Sequence, residues 1–220
     1  MRDLKGRTEA GLVLGLDLAG SPRRPTGVCR FAKGLARTRL LQADDEILGY
    51  VLEERPALVA IDAPLKLPPG RSSIHDRNDS HYRVCDMELR RRKIPFFPIT
   101  LGPMRSLTER GMLLAREIER QGIRVIEIYP GGAQDVWGIP RAARDREALR
   151  CGLRTLGVKG LRKAASDHEL DAATGALVGN LFLLGEAEVY GNFNEGAIVM
   201  PRDMRTMSGS AGSTRSGTGS

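Results

Sequence analysis

Aromatic residues are scarce, at 5% of the 220 residues, and there are only three cysteines, Cys29, Cys85 and Cys151. The cysteines are odd in number, lie far apart and form no Cys-x-x-Cys pair, which argues against a disulfide framework and against a cysteine-built zinc knuckle. Reduced, mostly buried thiols are expected. Few aromatics leave few platforms on which the bases of a single strand could stack, so a structured or double-stranded nucleic acid would be favoured over a single strand. No apolar run approaches 18 residues, so no transmembrane helix and no membrane partner are expected. The opening residues, MRDLKGRTEAG, lack the apolar core of a signal peptide, and the expected location is cytoplasmic.

What is present is ordinary in bulk: 41% hydrophobic and 28% charged residues, a length that suits one domain with a sizeable core. The expected organisation is a single domain over residues 1–207 and a disordered Gly/Ser/Thr tail over 208–220, with no internal repeat. Net charge is +7, from 34 Lys and Arg against 27 acids, and Arg supplies most of the excess. Runs of Arg occur at 23–24, at 90–93 with Lys93, and through Arg141, Arg144, Arg146, Arg150, Arg154, Arg162 and Lys163. Arg pairs bidentately with phosphate, so these runs suit a nucleic-acid backbone. They would equally serve as a solvated, solubilising face.

Residues 12–18 form a near-continuous apolar run, expected to be a strand buried on both faces. GSPRRPTG then reads as a turn, TGVCRFA as a returning strand and ARTRLLQ as a third. A helix is expected over 43–55, with Ile47, Leu48, Val51 and Leu52 on its apolar face, followed by a strand through ALVAID. The stretch 63–80 reads as a long loop of the kind that tends to be functional. Helices are expected over 81–92, 104–121, 142–156 and 167–184, with a strand at IRVIEIYP, and PGGAQ reads as a backbone nest for an anion or an ordinary turn. A meander followed by strands alternating with helices gives an α/β domain with a mixed sheet.

Five acids carry the functional signal. Asp17 closes LVLGLD, Asp62 closes ALVAID, Glu127 sits inside IRVIEIYP, and Asp167 and Asp171 open the helix SDHELDAATGAL. A carboxylate at the end of a buried strand points into the crevice at the sheet edge. Several of them brought together are tolerable only if they share protons or bind cations. Each has a plainer alternative: a turn cap for Asp17 and Asp62, an edge-strand surface position for Glu127, a first-turn helix charge for Asp167. Asp171 precedes a small-residue run that lets its helix press on a sheet, and is placed to meet Asp17. His168 could be a ligand or a proton shuttle, and Arg83 or Arg90 could touch phosphate.

GLDLAGSP, VAIDAP, FFPITLGPM, IEIYPGGAQ and SDHELDAATGALVG together resemble the motifs of the DUF429 family, from about Leu12 to about Pro201. That resemblance implies a predicted nuclease with a three-layer α/β/α ribonuclease H-like fold and a five-stranded mixed sheet, distantly similar to the RuvC resolvases. By the same resemblance the first-strand acid is Asp17, the fourth-strand acid is Asp62 and the helix-start acids are Asp167 and Asp171. RuvC resolvases act as dimers, so a homodimer is among the assemblies left open. The expected activity is hydrolysis of phosphodiester bonds by two Mg²⁺ or Mn²⁺ ions held on Asp17, Asp62, Asp167 and Asp171, with Glu127 assisting. Two alternatives stay open. One is a non-catalytic nucleic-acid-binding module. The other is actin-like nucleotide phosphotransfer, suggested by the likeness of residues 17–21 to a first phosphate loop, although the chain is about half the length such enzymes need and no second Gly-rich loop follows an Asp.

Overall fold

The computed structural model describes residues 10–202; the expected tail over 208–220 lies outside the described residues. Strand β1 (Val13–Asp17) returns as β2 (Thr26–Ala32) and β3 (Leu35–Leu41), and helix α1 (Asp44–Glu54) leads to β4 (Leu58–Asp62). After a long loop come α2 (Val84–Arg91), α3 (Pro103–Arg120), β5 (Val125–Glu127), α4 (Pro130–Trp137), α5 (Arg146–Thr155) and α6 (Asp167–Leu183). A hairpin of β6 (Ala187–Asn192) and β7 (Gly196–Pro201) closes the order.

The main sheet runs β3-β2-β1-β4-β5, with the first three strands antiparallel and β4 and β5 parallel to β1. This is the five-stranded mixed sheet expected of a ribonuclease H-like domain. Alternation sorts the strand side chains onto two faces. Leu14, Leu16, Val28, Val59 and Ile61 pack against Ile47 and Val51 of α1 and Leu114, Ala115 and Ile118 of α3. Val13, Cys29, Leu58, Ala60 and Ile126 pack against α6, with Ala133 of α4 and Leu149 and Leu153 of α5 closing the third layer. Each fully buried Leu or Ile contributes roughly 1.5–3 kcal/mol relative to exposure, so the two cores hold the sheet edge rigidly. No described helix is long and apolar enough to cross a membrane.

The local departures from expectation have physical causes. PGGAQ is the start of α4 and not a nest or a turn: Pro130 stands at the first helical position, where its missing N–H costs nothing. The β6–β7 hairpin was not anticipated, and with Cys85, Leu89 and Ile94 it builds a third, smaller core around Tyr190, Ile198 and Met200. Helix α6 is buried almost all round, because it lies between the sheet and α4 and α5.

Candidate functional site

Asp17 and Asp62 stand side by side, since β1 and β4 pair in parallel with Asp17 opposite Asp62. Helix α6 is brought onto them by two glycines. A Cβ on Gly15 would fall 2.1 Å from the Ala172 carbonyl oxygen, and one on Gly27 would fall 1.9 Å from that of His168. With no side chain at either position, the first turns of α6 rest directly on the backbone of β1 and β2. Their start is fixed by a capping box: the Ser166 hydroxyl accepts from the Glu169 N–H, and the Glu169 carboxylate accepts from the Ser166 N–H.

That contact delivers His168 and Asp171 to Asp17. His168 Nδ1 lies 2.5 Å from Asp17 Oδ2. Gln134, buried on α4, donates through Nε2 to Asp171 Oδ1 at 2.6 Å and to Thr174 Oγ1 at 3.1 Å. The Thr174 hydroxyl already donates to the Leu170 carbonyl at 2.9 Å, so its oxygen must accept, which fixes which end of the Gln134 amide faces the site. Gln134 Oε1 is buried with no hydrogen-bond partner among the described residues. Gln134 carries no signal of its own in the sequence beyond its place in PGGAQ, directly after a strand.

The electrostatics follow from crowding. Burial pushes the Asp62 carboxyl well above the usual carboxylate range, and the charges of Asp17, Asp171 and Glu127 with a hydrogen bond to Asp17 push it further. Burial and the charge of Asp17 raise Asp171 to about 7, against the opposing hydrogen bond from Gln134. The hydrogen bond to Asp17 raises His168. Among the described residues no Lys or Arg forms an ion pair with Asp17, Asp62 or Asp171, and His168 is the one ionisable base that touches the group. An all-oxygen, carboxylate-rich set of this kind matches the ligands of Mg²⁺ and Mn²⁺. Among the described residues no three His, Cys, Asp or Glu side chains already surround a common point.

Two of the five acids lie elsewhere. Glu127 is paired in register with Ile61, so alternation puts it with Val125 on the face opposite Asp62. There Arg83 donates to both its oxygens, at 2.7 and 2.9 Å, and the Leu65 N–H donates at 2.8 Å. Arg83 also donates to Asp86 at 2.8 and 3.1 Å, making a buried ionic triad in which Arg83 is not free to touch phosphate. Asp167 has a half-exposed side chain whose neighbour is Arg146 at 3.7 Å.

Much of the Arg excess is engaged within the molecule. Arg141 pairs with Asp135, Arg150 with Glu147, Arg162 with Glu169, and Arg91 and Arg92 with Glu88. In the long loop, Arg71 donates to the Ser80 carbonyl at 2.5 Å and to that of Asn78 at 3.0 Å. Arg24, on the β1–β2 turn, lies close enough to His168 to oppose its protonation.

No curated protein sequence matches the chain. The fold is similar to that of RuvC from Thermus thermophilus in complex with a Holliday junction substrate, at 16% identity and a TM-score of 0.42, covering 79% of this chain and 96% of that one. A second Thermus thermophilus RuvC structure is similar at 18% identity and a TM-score of 0.39, with the same coverage. The family model described as "Protein of unknown function (DUF429)" matches residues 15–195, a span that holds Asp17, Asp62, Gln134 and Asp171, and the chain belongs to the DUF429 family.

Proposed function

We propose that the chain is a metal-dependent nuclease that hydrolyses phosphodiester bonds, with Asp17, Asp62 and Asp171 as ligands for two Mg²⁺ or Mn²⁺ ions. One observation carries the reading: Asp17, Asp62 and Asp171 stand near enough at one sheet edge to raise one another's proton affinity, with no Lys or Arg paired to them among the described residues, in a protein of net charge +7. When bound, such ions supply positive charge to the phosphoryl oxygens and lower the pKa of the attacking water. His168 orients Asp17, and Gln134 holds Asp171. Glu127 acts at one remove, since its bond to the Leu65 N–H fixes the segment that follows Asp62. Asp167 keeps an assisting role through its charge, which acts on Asp171, and Arg24 offers a contact for the phosphate backbone.

Thermal melting in EDTA, Mg²⁺ and Mn²⁺, with Asp17→Asn beside the wild type, tests this. Metal should raise the melting temperature of the wild type and not of the variant, and the variant should lose metal-dependent cleavage of labelled nucleic acid. Absence of any metal response in the wild type would remove the reading. The raised proton affinity of Asp62 and Asp171 favours a second one, a nucleic-acid-binding module without turnover; it predicts binding by both proteins and cleavage by neither.

A further inference from the structure

We propose that the cleft between α2 and the Pro95–Gly102 loop binds an unpaired nucleotide, its base against Tyr82 and Phe96 and its phosphate on Arg90 and Lys93. This deepens the nuclease reading by naming an unpaired strand as the substrate class, yet the cleft itself is independent of metal. It has a volume of about 410 Å³ and is lined by those four residues with Pro95 and Pro98. Pockets of this size hold small organic ligands, and a base with its sugar is of that class.

Three observations point to nucleic acid. Tyr82 and Phe96 meet edge to face, centroids 6.1 Å apart at 81°, with Tyr82 partly exposed, and Phe97, next in the chain, is the most exposed large apolar side chain among the described residues. In a chain with so few aromatic residues, two of them line this one opening.

The basic residues divide in the same way. Arg91 and Arg92 are committed to Glu88, and Arg92 also to Glu188. Arg90 and Lys93 pair with no carboxylate among the described residues, and the Arg90 guanidinium lies 5.9 Å from the Tyr82 ring centroid. Aromatic faces beside unpaired cations complement a base and its phosphate, whereas a duplex keeps its base faces stacked inside.

The wall is also fastened. The Tyr129 hydroxyl donates to the Pro95 carbonyl at 2.6 Å, Arg105 Nε donates to the Thr100 carbonyl at 2.6 Å, and His81 bonds Thr100 Oγ1 at 2.8 Å. Tyr129 stands two residues beyond Glu127 at the end of β5 and lies within electrostatic reach of Asp62.

Fluorescence anisotropy of the full chain in EDTA, with labelled oligo-dT and a duplex of equal length, tests the cleft without cleavage. The wild type should prefer the single strand. Tyr82→Ala should weaken oligo-dT binding about tenfold and Tyr82→Phe should restore it. Arg90→Ala should weaken binding and lower the salt slope by about 0.7. A melting curve matched to wild type qualifies each variant, and Arg90→Ala serves if Tyr82→Ala does not fold. Equal or tighter binding to duplex, unchanged binding in a folded variant, or no binding at all would overturn the proposal. A wild type that shows no metal response but Tyr82-dependent binding keeps the cleft and loses only the nuclease reading.

Discussion

Replacing Asp171 by Asn should stabilise the metal-free protein most at neutral to alkaline pH, and progressively less as pH falls toward 3.8. A carboxyl held at about 7 instead of its ordinary 3.8 folds more favourably when protonated. Its contribution is fully present below 3.8 and is lost as pH rises through about 7. At 1.36 kcal/mol per decade the loss has an upper bound of about 4 kcal/mol, and partial exposure to water reduces the working figure to about 2. Asn keeps the shape and still accepts from Gln134, but it cannot ionise. At pH 8 in EDTA the variant should therefore melt about 4–8 °C above wild type, using roughly 2–4 °C per kcal/mol for a chain of this size. By pH 5 most of the difference should have gone. Mg²⁺ should lift wild type toward the variant at pH 8 and leave the variant where it is. A variant no more stable than wild type at pH 8, or one equally stabilised at pH 5, would refute the reasoning that like charges crowd this site.

Other consequences can be checked by the same means. Arg83→Met leaves Glu127 and Asp86 buried without their cation, which should cost about 3–5 kcal/mol and lower the melting temperature by roughly 6–20 °C. His168 is raised above its ordinary 6.5 by Asp17, so its stabilisation is present below that value and is lost as pH rises through the higher folded one. The stability gap between wild type and His168→Ala should accordingly be widest below pH 6.5 and narrow at alkaline pH. Gly27→Ala places a methyl carbon 1.9 Å from the His168 carbonyl oxygen, which should displace the start of α6 and abolish metal-dependent stabilisation in a protein that still folds by circular dichroism.

The elements that deliver the site were legible because each obeys a local rule. Apolar runs marked β1 and β4, and a polar residue ending each run marked Asp17 and Asp62. Ser166 followed three residues on by Glu169 marked the start of α6, and AATGA marked a helix able to lie close. What could not be read was register. Glu127 looks like Asp62 in sequence, an acid in an apolar strand, and only the pairing of Ile61 with Glu127 shows that the two carboxylates leave opposite faces of the sheet. Gln134 was missed because two glycines ahead of it are poor helix formers, so PGGAQ reads as a turn until Pro130 is seen to start a helix. The scarcity of aromatic residues was taken to disfavour single strands, yet composition says nothing of where Tyr82 and Phe96 meet.

The bare backbone at Gly15 and Gly27 has a consequence for how this site tolerates change. Most helix–sheet spacings are set by side chains, which can be traded for others of similar volume, so the gap drifts as a core is repacked. Here the stop is main chain against main chain. The separation of the first-strand carboxylate from the helix-borne one is thus gauged by atoms that no substitution elsewhere can alter. The surrounding aliphatic residues are left free to vary in size without detuning the distance between the charges.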